Sequence, residues 1–553
     1  MGRSRRAAKR EGMDRRTLFA YGAAAAAVAA ARPALGADRR PAPDAPAKVE
    51  AFELDELTIN DLQKKMVSGE ETARSLTEKY IARIEAMDKR GPGLRSVLEI
   101  NPDAIAIAEK LDEERKASRV RGLLHGIPVM VKDNIGTADR MTTTAGSLAL
   151  EGSIPSSDSF VAKMLRESGA VLLGKTNMSE WANFRSTHSS SGWSGRGGQC
   201  RNPYALDRNA SGSSSGSGAA TAANLCAVSV GTETDGSIVS PSNNCSLVGI
   251  KPTLGLASRA GIVPIAHSQD TPGPMCRTVA DAAALLAAMA GTDPADDATK
   301  EATARLGKGY AKSLDPRGLE GARIGVPRKG LYGQNAAADR IVERALEDMK
   351  KLGAVIVDPA DIETVSAFEK NELEVLLYEF KTDLNLYLAA LPSARIKSLK
   401  DAIEFNEKNR DREMPYFGQE LFLQAEKKGP LTEKAYRDAL EADIKNARKD
   451  GIDKTMDKHK LDALVAPTSS PATLIDQVNG DYGVNGSSTI PAVAGYPDIT
   501  VPAGYDFGLP VGISFFGRAW SEAMLIRIAY AYEQATKHRR PPKFLTTADL
   551  SSR

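Results

Sequence analysis

Aromatic residues make up only 5% of the 553-residue chain, histidine occurs five times and cysteine four times. Cys200, Cys226, Cys245 and Cys276 show no metal-ligand spacing, and they are too few for a disulfide scaffold in a chain this long. Their expected state is that of small buried hydrophobes. Excess charge is also missing. The formal net charge is +2, and no basic stripe marks a nucleic-acid surface. The longest apolar run, Ala20–Ala31, falls short of the ~20 residues that a membrane-spanning helix needs.

The N-terminus is organised differently from the rest. Arg3, Arg5, Arg6, Lys9 and Arg10 lead into Arg15-Arg16-Thr17-Leu18-Phe19, then the alanine run, then Arg32-Pro33-Ala34-Leu35-Gly36-Ala37. A basic segment, a weakly apolar centre and small residues at the end are the parts of an export signal. The paired arginines resemble the twin-arginine type, which carries folded proteins across the bacterial inner membrane. Residues 1–37 are therefore expected to be a signal peptide, and 38–553 a single domain. The protein is expected to be periplasmic or secreted, with no stable membrane insertion once the signal is removed. Asp38–Ala47 is Pro-rich and reads as a disordered lead-in.

Beyond it, helical and strand patterns alternate. Ser75–Met87, Ala104–Val120, Phe160–Ser168 and Ala219–Cys226 read as helices; Ile127–Val131, Ala170–Leu173, Ala227–Val230 and Leu247–Ile250 read as short apolar strands. Val279–Met289 is an Ala/Leu helix opened by Thr278 and closed before Gly291. Strands without a polar face belong in a sheet covered on both sides. The expected fold class is α/β, with a mixed, largely parallel central sheet and helices on both faces. In residues 305–461, Ile324–Pro327 reads as a last short strand, and the sequence after it, mainly helical and highly charged, reads as a layer covering the sheet. The core resumes at Leu461–Val465, Asp498–Pro502 and Gly512–Phe516, and the helix Glu522–Ala535 closes it.

Serine and glycine concentrate at two points, Gly212–Gly218 and Gly231–Ser237, on either side of an apolar run. Glycine lets a ligand approach the main chain, and serine supplies nucleophiles and proton relays. A flexible linker would not enclose an Ala/Val core segment. The stretch reads as an active site.

Gly212-Ser213-Ser214, Gly231-Thr232, Asp235-Gly236-Ser237-Ile238, Pro241 and Gly249-Ile250-Lys251-Pro252-Thr253 resemble the signature of the amidase signature family. The resemblance runs from about Leu57 to Ala535, with gaps in the middle. It implies hydrolysis of carboxamides through a Ser–Ser–Lys triad and an acyl-enzyme intermediate. Carried over by position, Ser237 is the nucleophile and Ser213 the bridging serine, with a cis Gly212–Ser213 peptide. Lys132, ending the strand that begins at Ile127 and followed by Asp133-Asn134, is the base. The family's oxyanion hole falls on the backbone of Thr234, Asp235, Gly236 and Ser237. Gly174–Glu180 matches a further family segment, so Met178, Ser179, Glu180 and Gly212 are expected to bind substrate. No metal or organic cofactor is implied.

The chemistry is coherent. A serine hydroxyl needs a base to take its proton. A lysine, whose ordinary pKa is ~10.4, serves only if burial or nearby positive charge keeps it neutral. Two departures bear on substrate: Asp235-Gly236 stands where many members have Gly-Gly before the nucleophile, and Val239 where many have Arg. Gly231–Val239, Ser179–Arg185 and Ser268–Pro274 resemble instead the bacterial peptide amidases, which release ammonia from the C-terminal carboxamide of peptides.

Alternatives remain open at this point. The chain could be an amidase of small aliphatic or aryl amides, or the glutaminase subunit of a tRNA-dependent amidotransferase. It could also be an exported binding protein that keeps the fold without the chemistry. Gly212–Gly216 also matches G-x-S-x-G, which would make Ser214 a nucleophile, but a loop precedes it where that motif requires a strand. No S-x-x-K occurs, which removes a penicillin-binding-type Ser–Lys site.

Overall fold

The computed structural model describes residues 49–552 other than 484 and 485. The export signal and the Pro-rich lead-in both lie outside the described residues. Eleven strands form one sheet: β1 (Val97–Ile100), β2 (Pro128–Lys132), β3 (Val171–Thr176), β4 (Val228–Glu233), β5 (Val248–Lys251), β6 (Thr271–Cys276), β7 (Arg323–Gly325), β8 (Val355–Val357), β9 (Ala463–Pro467), β10 (Asp498–Asp506) and β11 (Leu509–Phe516). Their spatial order is β1-β3-β2-β4-β6-β5-β10-β11-β9-β7-β8. Pairing is parallel from β3 through β2 to β4, and again from β9 through β7 to β8. Between these blocks β6, β5, β10 and β11 run antiparallel to their neighbours. The sheet is mixed, and Lys132 ends the middle strand of the first parallel block.

Helices cover both faces, and alternation along β9 shows how. Ala463 and Val465 join the main core with Ile341 and Val342 of α8 (Ala336–Lys351). Leu464 and Ala466 point the other way, against Ala447, Ile452 and Val493. Side chains two apart share a face of a strand, so one short apolar run feeds two cores. Every residue of β2 is buried, as a strand between two neighbours and two helical layers must be.

The sequence reading places no strand at Thr271–Cys276, a segment that contains Pro272 and Pro274. The structure does. Pro272 lies opposite Thr232 and Pro274 opposite Val230, while β5 pairs only with Met275 and Cys276. The two prolines, two residues apart, turn their nitrogens to the same side of the strand, where no ladder partner is asked of them.

Part of the 305–461 region belongs to the sheet: β7 and β8 extend its edge, and α8 packs into the main core. The rest forms a roof. From α9 (Glu369–Ala390), α10 (Leu399–Lys408) and α11 (Glu420–Glu426), the side chains Leu377, Phe380, Leu384, Leu399 and Phe422 pack on Met178, Trp181, Val263 and Ile265. Each such side chain contributes roughly 1.5–3 kcal/mol by burial, so the roof is fixed against the segments on either side of the serine-rich loops. Among the described residues, no helix is long and apolar enough to cross a membrane.

Candidate active site

Lys132 is fully buried at the end of β2. Its Nζ donates to Ser213 Oγ at 2.8 Å, to Thr232 Oγ1 at 2.9 Å and to the Thr232 carbonyl at 3.1 Å. Burial pushes its pKa down to about 7, against the charges of Asp270 and Glu233, which favour the ammonium form. The apolar run desolvates its terminal amine, so the neutral form that base chemistry requires becomes accessible near neutral pH. The three donated bonds are those of the ammonium form.

Ser213 is also fully buried, and the Gly212–Ser213 peptide is cis. The Ser213 carbonyl accepts the N–H of Ser179. Ser214 turns the opposite way: its hydroxyl donates to the Thr232 carbonyl at 3.0 Å and accepts the Thr232 N–H at 3.2 Å. Ser214, the nucleophile of the G-x-S-x-G alternative, is therefore occupied in binding β4.

Ser237 follows Gly236, whose φ of +75° is a left-handed conformation that favours glycine. The Ser237 carbonyl accepts the Ser214 N–H at 3.2 Å, joining the two serine clusters through the backbone. The loop is held from several sides. Glu233 Oε2 accepts the N–H groups of Ile238 and Val239 at 2.7 and 3.0 Å, at the start of the helix Val239–Asn244. The Asp235 carboxylate accepts the hydroxyls of Ser488 and Thr489.

Two cavities meet at this loop. One, of about 350 Å³, is lined by Ser213, Thr232 and Thr234 at its floor, with Val263, Ile265 and Tyr387 on its walls. The other, of about 290 Å³, is lined by Gly212, Asp235 and Gly236, and is otherwise polar, with Asn209, Ser488 and Asp481 among its residues. The Gly212–Ser213 and Thr234–Gly236 segments form the partition. The serine-rich loops thus open to a partly apolar chamber on one side and a hydroxyl-rich one on the other.

Of the four residues expected to contact substrate, Gly212 lines the polar cavity. Met178, Ser179 and Glu180 are buried, and their side chains serve the protein itself. Met178 belongs to the cluster beneath the roof. The Ser179 hydroxyl accepts the Gly192 N–H at 2.8 Å. The Glu180 carboxylate accepts the Gly195 N–H at 2.7 Å and pairs with Arg185 Nε at 3.0 Å. Burial and the neighbouring Glu413 nonetheless push the Glu180 carboxyl well above the usual range.

The sequence reading assigns no role to Thr232 or Asn134, although both sit inside the quoted motifs. Thr232 accepts from Lys132 through both its oxygens, and Asn134 Nδ2 donates to the same hydroxyl at 3.0 Å. The usable signal is the position of Thr232 one residue after Gly231, on the strand neighbouring Lys132. The four cysteines are all free and buried.

Comparison with known proteins bears on the chain as a whole. The family model described as Amidase matches residues 75–526. The crystal structure of native peptide amidase from Stenotrophomonas maltophilia superposes with a TM-score of 0.85 at 48% identity, covering 89% of this chain and 99% of that one. A probable amidase of Arabidopsis thaliana is 44% identical over 89% of this chain and 93% of its own length. A glutamyl-tRNA(Gln) amidotransferase subunit from Microcystis aeruginosa is 34% identical over 88% of this chain and 99% of its own length.

Proposed function

This chain belongs to the amidase family and is an amide hydrolase, and we propose that it removes the terminal carboxamide of peptides through Ser237, Ser213 and Lys132. The observation that carries the reading is the buried hydrogen bond from Lys132 Nζ to Ser213 Oγ, 2.8 Å long. A lysine with a pKa of about 7 is neutral in half the molecules at neutral pH, so it accepts a proton without a histidine or carboxylate partner.

In the proposed cycle, Ser237 Oγ attacks the amide carbon while its proton passes to Ser213, whose own proton passes to Lys132. The backbone N–H groups of residues 234–237 receive the oxyanion, a contribution worth ~2.7–4 kcal/mol per donor in comparable sites. The C–N bond then breaks as the proton returns through Ser213 to the departing nitrogen, giving ammonia and an acyl-serine. Water repeats the sequence on the ester, releasing the peptide acid and restoring the serine.

The preference for peptide amides draws support from the 48% identity to a peptide amidase and from the Asp235-Gly236-Ser237-Ile238-Val239 and Gln269-Asp270-Thr271 motifs. A roofed chamber beside the serines offers contact to residues on the acyl side, and remote binding of that kind lowers the barrier at the carbonyl. The leaving group is then ammonia alone, with no chain to accommodate beyond the scissile bond. We further propose export of the mature enzyme, on the sequence of residues 1–37 alone.

The test is to incubate the enzyme with an amidated oligopeptide and with the matching amino-acid amide, following ammonia and product mass. Conversion of the peptide amide to the peptide acid without shortening, with higher kcat/KM than for the amino-acid amide, is expected. Internal cleavage, or turnover confined to small aryl or aliphatic amides, overturns the peptide-amide assignment and leaves the triad standing. Release of ammonia from no amide at all supports a binding protein instead.

A further inference from the structure

The Asp270 carboxyl is desolvated by the protein around it and lines the partly apolar chamber together with Ser213 and Thr234, yet the proposed cycle gives it no part. Its two oxygens do different things. Oδ1 accepts the Thr234 hydroxyl at 2.5 Å. Oδ2 accepts the N–H groups of Ile265 and Ala266 at 2.8 and 3.0 Å. The carboxylate therefore bridges the loop bearing the candidate oxyanion donors and the wall segment packed under the roof. The adjacent residue grips the same point: Gln269 Nε2 donates to the Thr234 carbonyl at 3.2 Å and to Glu372 Oε1, on α9, at 3.0 Å. Thr234 is thus held by its hydroxyl and by its carbonyl, both from residues 269–270.

We infer that Asp270 is a positioning residue for amide hydrolysis, holding Thr234 and the N–H run that follows it, and placing a carboxylate charge within electrostatic reach of the Lys132–Ser213 pair. This role rests on the triad reading. Geometry supports its first half. The Thr234 peptide can swing only if the hydroxyl bond to Asp270 and the carbonyl bond to Gln269 both yield, and donors fixed before reaction are what make an oxyanion site effective.

The charges around the pair support the second half. Asp270 lines the same chamber as Ser213 and Thr232, the two residues that receive the Lys132 amine, and its charge and that of Glu233 favour the ammonium form of Lys132. Facing Asp270 are Arg259, itself paired with Asp296, and Asp383 of α9, which stands against His267. Burial pushes the Asp270 carboxyl up to about 6, while the Thr234 hydroxyl and the two N–H groups work in the other direction. Above that pH its negative charge favours the ammonium form of Lys132. Its removal leaves Glu233 as the remaining charge favouring that form, and leaves Arg259 in place. Lys132 then loses its proton at lower pH.

The experiment compares the pH dependence of kcat/KM, and kcat at its optimum, for wild type, Asp270→Asn, Thr234→Val and Lys132→Ala on an amide that the wild type turns over. For Asp270→Asn, kcat is expected to fall about 10-fold or more with KM nearly unchanged. Its acidic limb is expected to move to lower pH by about half a unit or more. A limb position does not depend on how much of the variant folds. Thr234→Val keeps Asp270 and its bonds to residues 265 and 266, so its kcat is expected to fall about 10-fold with the limb unmoved.

An Asp270→Asn limb at the wild-type pH overturns the electrostatic role, and wild-type kcat in Thr234→Val overturns the positioning role. Should Asp270→Asn fail to fold, Thr234→Val decides the positioning role alone. Lys132→Ala separates this inference from the reading beneath it. An active Lys132→Ala overturns the triad; an inactive one together with an unmoved limb in Asp270→Asn overturns only the electrostatic role of Asp270.

Discussion

Gly212 and Ser179 approach so closely that a methyl group on Gly212 would stand 2.2 Å from the Ser179 hydroxyl oxygen. The same Ser179 donates its N–H to the Ser213 carbonyl and accepts the Gly192 N–H with its hydroxyl. The segment after β3 is therefore packed directly behind the peptide that bears the bridging serine. A side chain at 212 has no room unless that support moves.

Gly212→Ala is accordingly expected to lower kcat by about 100-fold or more, because a displacement near 1 Å at a reacting group costs that much. Overpacking should also cost about 1–3 kcal/mol of stability. Adding Ser179→Gly removes the opposing hydroxyl and should restore part of the stability, a coupling that a double-mutant cycle reads directly. Thermal melts and single-turnover rates check both. Wild-type turnover in Gly212→Ala would show that this approach is not needed for function.

Ser237→Ala is expected to abolish hydrolysis, by at least about 1,000-fold in kcat, while leaving the melting temperature close to that of the wild type. The change removes one hydroxyl from an 8% exposed residue and no hydrogen bond made by its carbonyl. Labelling by a fluorophosphonate probe should disappear in the same variant. Retained labelling at another serine would move the nucleophile elsewhere.

Acid should switch the enzyme off through Lys132. Its pKa, pushed down to about 7 by burial, means that the amine is neutral above that pH and protonated below it. The base form is the active one, so kcat/KM should fall about tenfold per pH unit on the acid side of the limb. Lys132→Ala should be nearly as inactive as Ser237→Ala. A profile flat from about pH 5 to about pH 9, with chemistry rate-limiting, would rule out a lysine base.

Export is testable independently of catalysis. Mature protein from the native host should begin near residue 37 or 38, and changing Arg15 and Arg16 together to lysine should empty the periplasm of it. N-terminal sequencing and fractionation read the two outcomes. Undiminished export of the double variant would exclude the twin-arginine route.

Local pattern was enough for the parts of this protein that local physics decides. Val279–Met289 is helical over the span that its cap and apolar spacing predict. An apolar run ending in Lys132 makes a buried strand; the run alone would let a terminal lysine reach solvent, and it is Asp133-Asn134 and the serine motifs that mark the amine for the interior, where it lies. The serine and glycine clusters mark the reactive loops because few other roles tolerate so many small residues beside an apolar core. What stayed hidden depends on which segments meet. Thr271–Cys276 carries two prolines and shows no strand pattern, and it becomes a strand by pairing with β4 along its length while β5 bonds only to Met275 and Cys276. Glu180 reads as a polar group available to a ligand, and turns inward because Arg185 and Gly195 are there to receive it. Thr232 acquires its two bonds to Lys132 because β4 lies alongside β2 in parallel. Asp270 meets Thr234 across 36 residues of chain. Residue pattern was sufficient to say which segments had to be buried, and the resemblance to the amidase signature, carried by the quoted motifs, named the groups for the chemistry. Which buried polar groups face one another was left to folding, since hydrogen-bond partners distant in the chain are chosen by packing and leave no periodicity to read.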